Sequence, residues 1–390
     1  MNDQPKSITN KDAIDAILEH GFDGLPEAMT LLLNEAMRVE RDRYLQAQPY
    51  ERTPARIGYA NGFKPKRQHT RVGQLDLRVP QTRDGDFYPS ALERGLRSER
   101  ALTVALAEMY VQGVSTRKVA AIVEEMCGFS VSSAQVSRAA AQLDELLQAW
   151  RERPLGRYAY LILDARYEKI RHGGHVRSCA VVWAVGIDEH GKRDVLGVSV
   201  ELSEAEVHWR HFLQSLMARG LHGITMITSD DHAGLGAALQ ACFPSVPWQR
   251  CQFHLQQNAQ SYVPRQSLKR AVADDIRAVF NATDHAEALR LIECCAKRYD
   301  DSAPRLAVWM RGNLHEGLTV FSLPAQHRRR LRTSNVMERC NQEIRRRTRV
   351  ACVFPNEASC LRLVSAILIK IADEWQSAKA YLNMDTNNQD

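Results

Sequence analysis

Three acidic residues stand where a carboxylate could do chemistry. Asp164 follows the apolar residues 158–163, Asp230 comes just after a second strand-like run at 224–228, and Glu338 lies in a late helical stretch. A buried strand that ends in aspartate places the carboxylate at the edge of a sheet, and a packed helix can add a third. Mg²⁺ and Mn²⁺ prefer such oxygen ligands. Two of these ions, about 3.5 to 4 Å apart, can activate the attacking oxygen and stabilise the leaving oxygen of a phosphodiester. The three residues therefore predict metal-dependent phosphoryl transfer.

Each of these residues also has a structural explanation. Aspartate after a strand is frequent in turns, and a helical glutamate beside Arg339 is typical of a surface ion pair. Two neighbours compete for the roles, Asp231 with Asp230 and Glu343 with Glu338. Five helical positions rotate by about 140°, so Glu338 and Glu343 cannot both face one pair of ions. Asp230 is preferred because it is the first residue past the strand.

The predicted helix around Glu338 carries an unusual polar face. Intervals of three to four residues place one set of polar side chains on this face, namely Asn335, Glu338, Asn341 or Gln342, and Arg345. Amide and guanidinium groups donate to backbone phosphates. The face therefore suits a DNA backbone beside a carboxylate, and a plain polar helix face is the alternative.

Cys251 and His254 have the C-x2-H spacing of half a zinc site. Cys242, or the adjacent Cys294 and Cys295, could complete it, but no second close pair follows at zinc-finger spacing. A role in packing or hydrogen bonding is therefore favoured. The nine cysteines are scattered along the chain, and an odd, irregular set indicates reduced thiols rather than a disulfide framework.

Basic residues are concentrated in two stripes. Residues 52–83 contain eight Lys and Arg against one acid, and residues 327–349 contain nine Arg. The whole chain carries 52 Lys and Arg against 46 Asp and Glu, a net charge of +6. A solvated basic face explains either stripe alone. Two stripes in one chain favour a nucleic acid as the partner.

The strand pattern indicates a fold that could bring the acidic residues together. Its elements follow the order strand, strand, strand, helix, strand, helix, strand, at 158–164, 179–187, 193–202, 203–219, 224–228, 233–242 and 246–250. This is the order of a mixed five-stranded ribonuclease H-like sheet, in which the first and fourth strands are neighbours. Residues 252–320 show helical stretches and no convincing strand. We therefore predict an α/β ribonuclease H-like catalytic domain with an all-helical insertion, followed by helices from 335 and from 356 to 382.

The first 150 residues are predicted to be a mainly helical DNA-binding region. An opening helix spans 24–47, and a small strand region follows, in which residues 72–79 nearly alternate. Ser115 and either Ser132 or Ser133 can cap two helices that flank Gly128, with an inner face of Val119, Ile122, Val123, Val131 and Val136. This pattern is typical of a helix-turn-helix, whose second helix would present Gln135 and Arg138 to DNA. An ordinary pair of packed helices is the alternative.

Length and composition exclude several classes of protein. The chain has 390 residues, 44% of them hydrophobic, which allows two or three globular domains. No apolar run approaches the roughly 18 to 20 residues that span a bilayer. The first residues, MNDQPK, lack the charged-then-apolar pattern of a secretion signal. We expect a soluble intracellular protein and exclude membrane, secreted and disordered classes.

Several motifs in this order closely resemble the Mutator-type transposases of bacterial insertion sequences. They are YVQGVSTR at 110–117, LDARYEKIR at 163–171, SDDHAGL at 229–235, WQRCQFH at 248–254 and SNVMERCNQEIRRR at 334–347. The resemblance covers about residues 24–384 and extends to RIGYANG at 56–62 and FPN at 354–356. Ala60 departs from the family pattern, which commonly has arginine there.

The resemblance implies a DDE transposase, which cuts at the ends of its element and joins a 3′-hydroxyl to target DNA. It implies Mg²⁺ or Mn²⁺, two ions per active site. Catalysis and metal binding are carried over to Asp164, Asp230 and Glu338. The supporting motif residues are Cys251, His254 and Asn335.

Double-stranded DNA is the expected partner, as element ends and as target. Contacts are expected from basic and amide residues of the stripes and of the helices, namely Arg56, Lys64, Lys66, Arg67, Arg117, Gln135, Arg138, Arg339, Asn341, Arg345, Arg346 and Arg347. Because two element ends must meet, we expect a homodimer or a larger assembly. The expected location is the bacterial cytoplasm, associated with the nucleoid, with no membrane partner.

The predicted domains follow the chain order. They are an end-binding region with a helix and small strands at 1–90, a helix-turn-helix-like domain at 91–152, the catalytic domain at 153–250 and 326–384, the helical insertion at 251–325, and a polar tail at 385–390. Two other functions stay open. A nuclease or resolvase on the same fold would cut without joining, and a DNA-binding regulator would have no catalysis. The long N-terminal region favours end recognition over the first, and the intact carboxylates argue against the second.

Overall fold

The computed structural model describes residues 10–83, 87–92, 98, 100–111, 114–141 and 143–384. The chain divides into two compact units, residues 1–142 and 143–390. Within the described ranges, no helix combines the length and the apolar character needed to cross a membrane. The predicted polar tail at 385–390 lies outside the described residues.

The first unit begins with two helices and a hairpin. Its elements are α1 (Asn10–His20), α2 (Leu25–Tyr44), β1 (Ala60–Thr70) and β2 (Gly73–Thr82). The prediction of an opening helix at 24–47 matches α2, whereas α1 was not predicted. β1 and β2 pair antiparallel. The alternating residues of β2 bury one face against Met37 of α2, and the basic side chains of β1 stay mostly exposed.

Three helices complete this unit, α3 (Arg100–Val111), α4 (Thr116–Cys127) and α5 (Ser133–Ala141). α4 begins at Ser115, whose hydroxyl oxygen accepts from the amide of Lys118 at 3.3 Å. The hydroxyl oxygen of Ser132, rather than that of Ser133, accepts from the amide at the start of α5 at 3.2 Å. Gly128 has φ +68° and ends α4 in the left-handed conformation, which costs glycine little.

The predicted inner face of α4 and α5 is largely correct. Four of its five residues are buried in one cluster, Val119, Val123, Val131 and Val136. Ile122 is the exception, because its side chain is 36% exposed. It lies one position before Val123, and a turn of 3.6 residues moves it to the edge of the apolar stripe.

The second unit contains a mixed five-stranded sheet. After α6 (Asp144–Glu152), its elements are β3 (Tyr158–His172), β4 (His175–Asp188), β5 (Arg193–Glu201), α7 (Glu206–Ala218), β6 (Met226–Ser229), α8 (Ala233–Cys242) and β7 (Trp248–Arg250). The strand order is β5-β4-β3-β6-β7. β3 runs antiparallel to β4 and parallel to β6. This topology is compatible with a ribonuclease H-like domain, and the predicted element order is observed.

β3 is longer than predicted, because Asp164 lies inside the strand rather than at its end. Residues 165–172 continue to pair with β4. Their side chains alternate, with Tyr167, Lys169 and Arg171 exposed and Ile170 fully buried. Strand pairing and a buried inward face hold this polar extension, which its composition does not indicate.

α7 covers one face of the sheet. Trp209, Phe212, Leu213 and Leu216 pack in one cluster with buried residues of β3, β4 and β6. Val207 lies outside this cluster and is 57% exposed. It lies at the start of α7, where the helix has not yet reached the sheet core.

A helical segment follows β7 and has a core of its own. Its helices are α9 (Gln252–Gln260), α10 (Lys269–Phe280), α11 (His285–Tyr299) and α12 (Pro304–Asn313). Their buried side chains form one separate cluster, which includes Val272, Ile276, Ile292 and Met310. The last helices are α13 (Ala325–Leu331), α14 (Asn335–Ala351) and α15 (Glu357–Ser377).

Candidate active site

Asp164 lies at the centre of the sheet. The three residues before it, 161–163, are fully buried in β3. Its Oδ1 accepts a hydrogen bond from the amide of Ala165 at 2.9 Å, and its Oδ2 accepts one from Nδ2 of Asn341 at 2.6 Å. Burial raises the pKa of the Asp164 carboxyl to about 6, although these hydrogen bonds and His254 act to lower it. A nearby cation would favour the ionised form.

Asp230 directly follows β6, as predicted. Because β6 pairs in parallel with β3 and Thr228 lies opposite Ile162, the same register brings Asp230 near Asp164, and the charge of Asp230 acts to raise the pKa of Asp164. The Asp230 Oδ1 atom lies 3.6 Å from Nδ1 of His254. Asp231 is engaged elsewhere, in an ion pair with Arg250 at 3.0 Å. The structure thus separates the two neighbouring aspartates.

Glu338 is held between two anchor points of α14. At the helix start, the amide and the hydroxyl of Ser334 each donate to Sγ of Cys251 at 3.4 Å. One turn beyond Glu338, Asn341 donates to Asp164. Residues spaced by three and four positions share a helix face, so Glu338 lies on the face of α14 that also carries Asn341, the donor to Asp164. In the described part of the chain, its buried Oε1 has no hydrogen-bond partner.

The competing glutamate is occupied. Oε1 of Glu343 accepts from Arg346 at 2.7 Å and from Arg347 at 2.8 Å. These hydrogen bonds with arginine lower the pKa of Glu343, against a smaller effect of burial. The geometry therefore favours Glu338 over Glu343 for the site.

Polar side chains of β3 hold α14 against the strand, and these contacts were not predicted from the sequence. Arg166 donates to the backbone carbonyl of Asn341 and pairs with Glu168 at 2.6 Å. Oε1 of Glu168 accepts from the hydroxyl of Thr348 at 3.0 Å. Arg166 and Glu168 follow Asp164 at intervals of two, so all three point to one side of the strand. That spacing was the available signal.

Cys251 and His254 lie beside the acidic residues. Cys251 is fully buried. Interaction with Cys251 raises the pKa of His254 to about 9, against the effect of burial, and Asp230 and Asp164 add to the rise. Burial opposes ionisation of Cys251, but hydrogen bonds with His254 and Ser334 outweigh it and lower the thiol pKa. A cationic His254 at this place would offset the charge of Asp230.

The donor set suits a divalent cation. Within the described residues, no three His, Cys, Asp or Glu side chains form a ready metal cluster, so neither the acidic residues nor the zinc alternative at Cys251 and His254 has a complete set of such ligands. Glu338 Oε1 and Asn341 Oδ1 are nevertheless buried oxygen atoms without a described partner. Carboxylate and amide oxygens are ligands of hard cations. The residues present therefore fit Mg²⁺ or Mn²⁺.

The structure leaves more than half of the expected DNA-contacting side chains exposed. These are Lys64, Arg67, Arg117, Arg138, Arg339, Arg345 and Arg346. Asn335 is also exposed at the first residue of α14. Arg67 and Arg346 each face a carboxylate, Asp76 at 3.2 Å and Glu343 at 2.7 Å.

Three of the expected contacts are directed at the protein in this conformation. Arg347 is 6% exposed and pairs with Glu343, so its expected phosphate contact has no geometric support. Asn341 donates to Asp164. Gln135 accepts from the amide of Ser132 at 2.6 Å and so belongs to a reciprocal capping box.

Two further residues have local partners in the first unit. Arg56 donates to the carbonyls of Gln48 and Glu51 at 2.9 and 2.6 Å. Lys66 donates to the hydroxyl of Tyr88 at 2.9 Å. Both side chains therefore organise the hairpin and the loop before it.

Comparison with known proteins gives one consistent result. The profile of the family described as "Transposase, Mutator family" matches residues 3–378. The chain is 58% identical to the transposase for insertion sequence element IS406 of Burkholderia multivorans, covering 95% of this chain and 96% of the relative. It is 45% identical to the transposase for element ISRM5 of Rhizobium meliloti, covering 97% and 95%.

A more distant relative agrees over the same extent. The transposase for element IS256 in transposon Tn4001 of Staphylococcus aureus is 36% identical, covering 96% of this chain and 97% of the relative. The similarity thus spans both units, the acidic residues and the helix that carries Glu338. This chain belongs to the Mutator family of transposases.

Proposed function

We propose that this protein binds the terminal inverted repeats of its element and catalyses strand cleavage and 3′-hydroxyl transfer into target DNA. The observation that carries the proposal is the placement of Glu338. Its Oε1 is buried without a hydrogen-bond partner among the described residues, one helical turn before Asn341, which donates to Asp164, while Asp231 and Glu343 are engaged by arginines. A DDE active site needs this distinction between neighbouring carboxylates.

Two displacements at phosphorus make up the reaction. In the first, a water oxygen bonds to phosphorus at the element end, and the 3′-oxygen leaves as a hydroxyl. In the second, this 3′-hydroxyl bonds to a phosphorus of the target strand, and the 3′-oxygen of that strand leaves. Divalent cations, two per site and held by Asp164, Asp230 and Glu338, would supply charge neutralisation and activation of the attacking oxygen.

The residues around the triad fix and balance the carboxylates. Asn341 donates a hydrogen bond to one oxygen of Asp164, and Arg166 donates one to the backbone carbonyl of Asn341. Cationic His254 would reduce repulsion between Asp230 and Asp164. Arg339, Arg345 and Arg346, which are exposed, would contact backbone phosphates, and Cys251, His254 and Asn335 would support the site.

We divide the chain into four functional regions. They are an end-binding region at 1–90, a helix-turn-helix at 91–152, a catalytic domain at 153–250 and 326–384, and a helical insertion at 251–325. End recognition is assigned to the first two regions. Lys64, Arg67, Arg117 and Arg138 are exposed there and would contact double-stranded DNA. Two ends must meet, so the active form is a homodimer or larger assembly, in the cytoplasm with the nucleoid.

The test uses the repeats that flank the gene of this protein. Purified wild type, Glu338→Gln and Glu343→Gln are incubated with this DNA and Mg²⁺ or Mn²⁺, and cleavage and joining are both scored. We expect joined products from wild type and from Glu343→Gln. Glu338→Gln should bind DNA but lose at least about a hundredfold in both steps, because one preorganised charge is removed.

Other outcomes would contradict the proposal. Cleavage without joining would indicate a nuclease or resolvase on this fold. Sequence-specific binding by folded wild type without metal-dependent chemistry would indicate a regulator. Equal loss in the two glutamate variants would remove the assignment of Glu338.

A further inference from the structure

A wide basic groove lies within the first unit, between α2, the hairpin and the loop before β1. Its volume is about 1530 Å³. Six arginines line it, Arg38, Arg41, Arg52, Arg56, Arg78 and Arg83. Two acids also line it, Glu35 and Glu51. The groove is thus strongly positive, and anionic ligands are favoured there.

The arginines of the groove have two different roles. Arg38 and Arg41 lie beside carboxylates, with Arg38 facing Glu35 and Arg41 pairing with Asp42 at 2.9 Å. Arg56 donates to carbonyls of the loop before β1. The other three arginines of the groove are Arg52, Arg78 and Arg83. Among the described residues, none of these three has a carboxylate partner. Guanidinium groups without a protein anion are suited to phosphate.

Aromatic rings stand among these arginines. Tyr50 is 92% exposed and Tyr59 is 59% exposed, and both line the groove. Tyr50 has φ +64°, a left-handed conformation that is uncommon for a bulky residue and costs free energy. The ring of Tyr50 is therefore exposed to solvent on a strained backbone. Packing within the protein does not explain this conformation.

Phe63 adds a third ring, already covered by cations. The guanidinium carbons of Arg41 and Arg78 lie 5.4 and 5.2 Å from its centroid. Arg56 lies 5.4 Å from the ring of Tyr59. Such stacks hold the guanidinium planes in fixed orientations.

We propose that this groove binds a short single-stranded stretch of DNA. Its phosphates would lie on Arg52, Arg78 and Arg83, and its bases would stack on Tyr50 and Tyr59. A positive groove lined by aromatic rings is the arrangement that holds single strands. A duplex stacks its bases on each other, so exposed rings gain nothing from it. The inference rests on the proposed function, because the single strand would come from an opened element end.

The test measures binding without chemistry. The full chain, in buffer with a chelator of divalent ions, is titrated into a labelled oligonucleotide of about 12 nucleotides and into the same sequence as a duplex. Tyr50→Ala and Tyr59→Ala should each weaken single-strand binding by about tenfold, because one stacked base is lost. Duplex affinity should stay the same, and Tyr50→Phe should restore the single-strand affinity.

Two controls make the result specific. Phe22 is an aromatic residue of the same unit, is 88% exposed and does not line the groove, so Phe22→Ala should change nothing. Arg83→Ala should reduce the slope of log affinity against log salt by about 0.7, the value for one phosphate contact on a single strand. The rings of Tyr50 and Tyr59 are exposed, and unchanged thermal unfolding of each variant verifies the fold.

Either of two results would overturn the inference. One is single-strand binding that survives both tyrosine substitutions, and the other is an equal loss of duplex and single-strand binding. The fate of the proposed function is read separately from the joining assay. Joined products without tyrosine-dependent binding would remove this inference alone, and tyrosine-dependent binding without joined products would remove the transposase mechanism alone.

Discussion

Asp164 in the second unit and Arg67 in the first unit are held in opposite ways. In the second unit, Asp164 follows three fully buried residues and accepts two hydrogen bonds. In the first unit, the ion pair of Arg67 with Asp76 leaves the two side chains 66% and 71% exposed. An exposed pair of this kind contributes about 0 to 1 kcal/mol and is screened by salt.

The carboxylates of the sheet and the exposed cations of the first unit therefore have different roles, the first in positioning groups and the second in attracting a ligand. Packing and hydrogen bonds fix the carboxylates of the sheet before any ligand arrives, whereas exposed cations attract an anionic ligand without a fixed geometry. Substitutions near Asp164 should therefore alter the reaction and spare DNA binding. Substitutions of the exposed basic side chains should weaken binding and spare the reaction at saturating DNA.

The largest effect is expected for the two adjacent aspartates. Asp230→Asn should lower joining at least about a thousandfold, because a preorganised charge at the reacting centre is lost. Asp231→Asn is the matched control, and its only described ionic partner is Arg250, so activity should stay within about threefold of wild type. Initial rates on element-end DNA measure both, and similar losses would mean that packing of the whole turn, not one carboxylate, controls the rate.

A smaller effect is expected for the amide that holds Asp164. Asn341→Ala removes the 2.6 Å hydrogen bond to Oδ2 and should lower the joining rate by about 10 to 100-fold, the range for residues that orient a ligand group. The control is Gln342→Ala at the next, exposed position. Gel-shift affinity should be unchanged in both variants. Weaker DNA binding with a normal rate at saturation would instead place Asn341 among the DNA contacts.

The smallest effect concerns stability of the first unit. The His69 ring stacks on Phe129 with centroids 4.4 Å apart. Burial, with help from Arg67, lowers the pKa of His69 below 6.5. The unfolded chain then binds more protons than the folded one just below pH 6.5, so stability falls as the pH drops through this range.

His69→Phe keeps an aromatic ring and removes the titration. Thermal unfolding of the full chain between about pH 5 and pH 7 should show a shallower pH dependence than wild type, by about 1 to 3 °C. Parallel curves for the two proteins would mean that His69 carries its proton equally well in both states.

Much of the fold follows from local pattern, and its exceptions have tertiary causes. The boundaries of α8 agree with the helix predicted at 233–242, and Asp230 follows its strand as predicted. β3 continues past Asp164 because the buried pair of Arg166 and Glu168 is covered by α14. β1 is mostly polar and is held by its pairing with β2. Neither cause is visible in a local window of sequence.

The candidate site shows the same limit. The types and order of Asp164, Asp230 and Glu338 led to their selection as the site residues, and this selection stays a prediction. The direction of individual side chains was not predictable. Arg347 and Arg346 are adjacent in sequence, yet only Arg346 is exposed, because a helical step of about 100° turns its neighbour into the protein.

The contact of Ser334 with Cys251 brings together the two ends of the helical segment between them. The chain leaves the sheet at Cys251 and returns at Ser334, and the amide of Gln252 also bonds to the carbonyl of Arg332 at 3.0 Å. The intervening helices thus form a segment with its own core, and hydrogen bonds join the two ends of this segment. Added length in a loop whose ends already meet costs little free energy. A change of length within this helical segment should therefore leave the position of Glu338 unchanged.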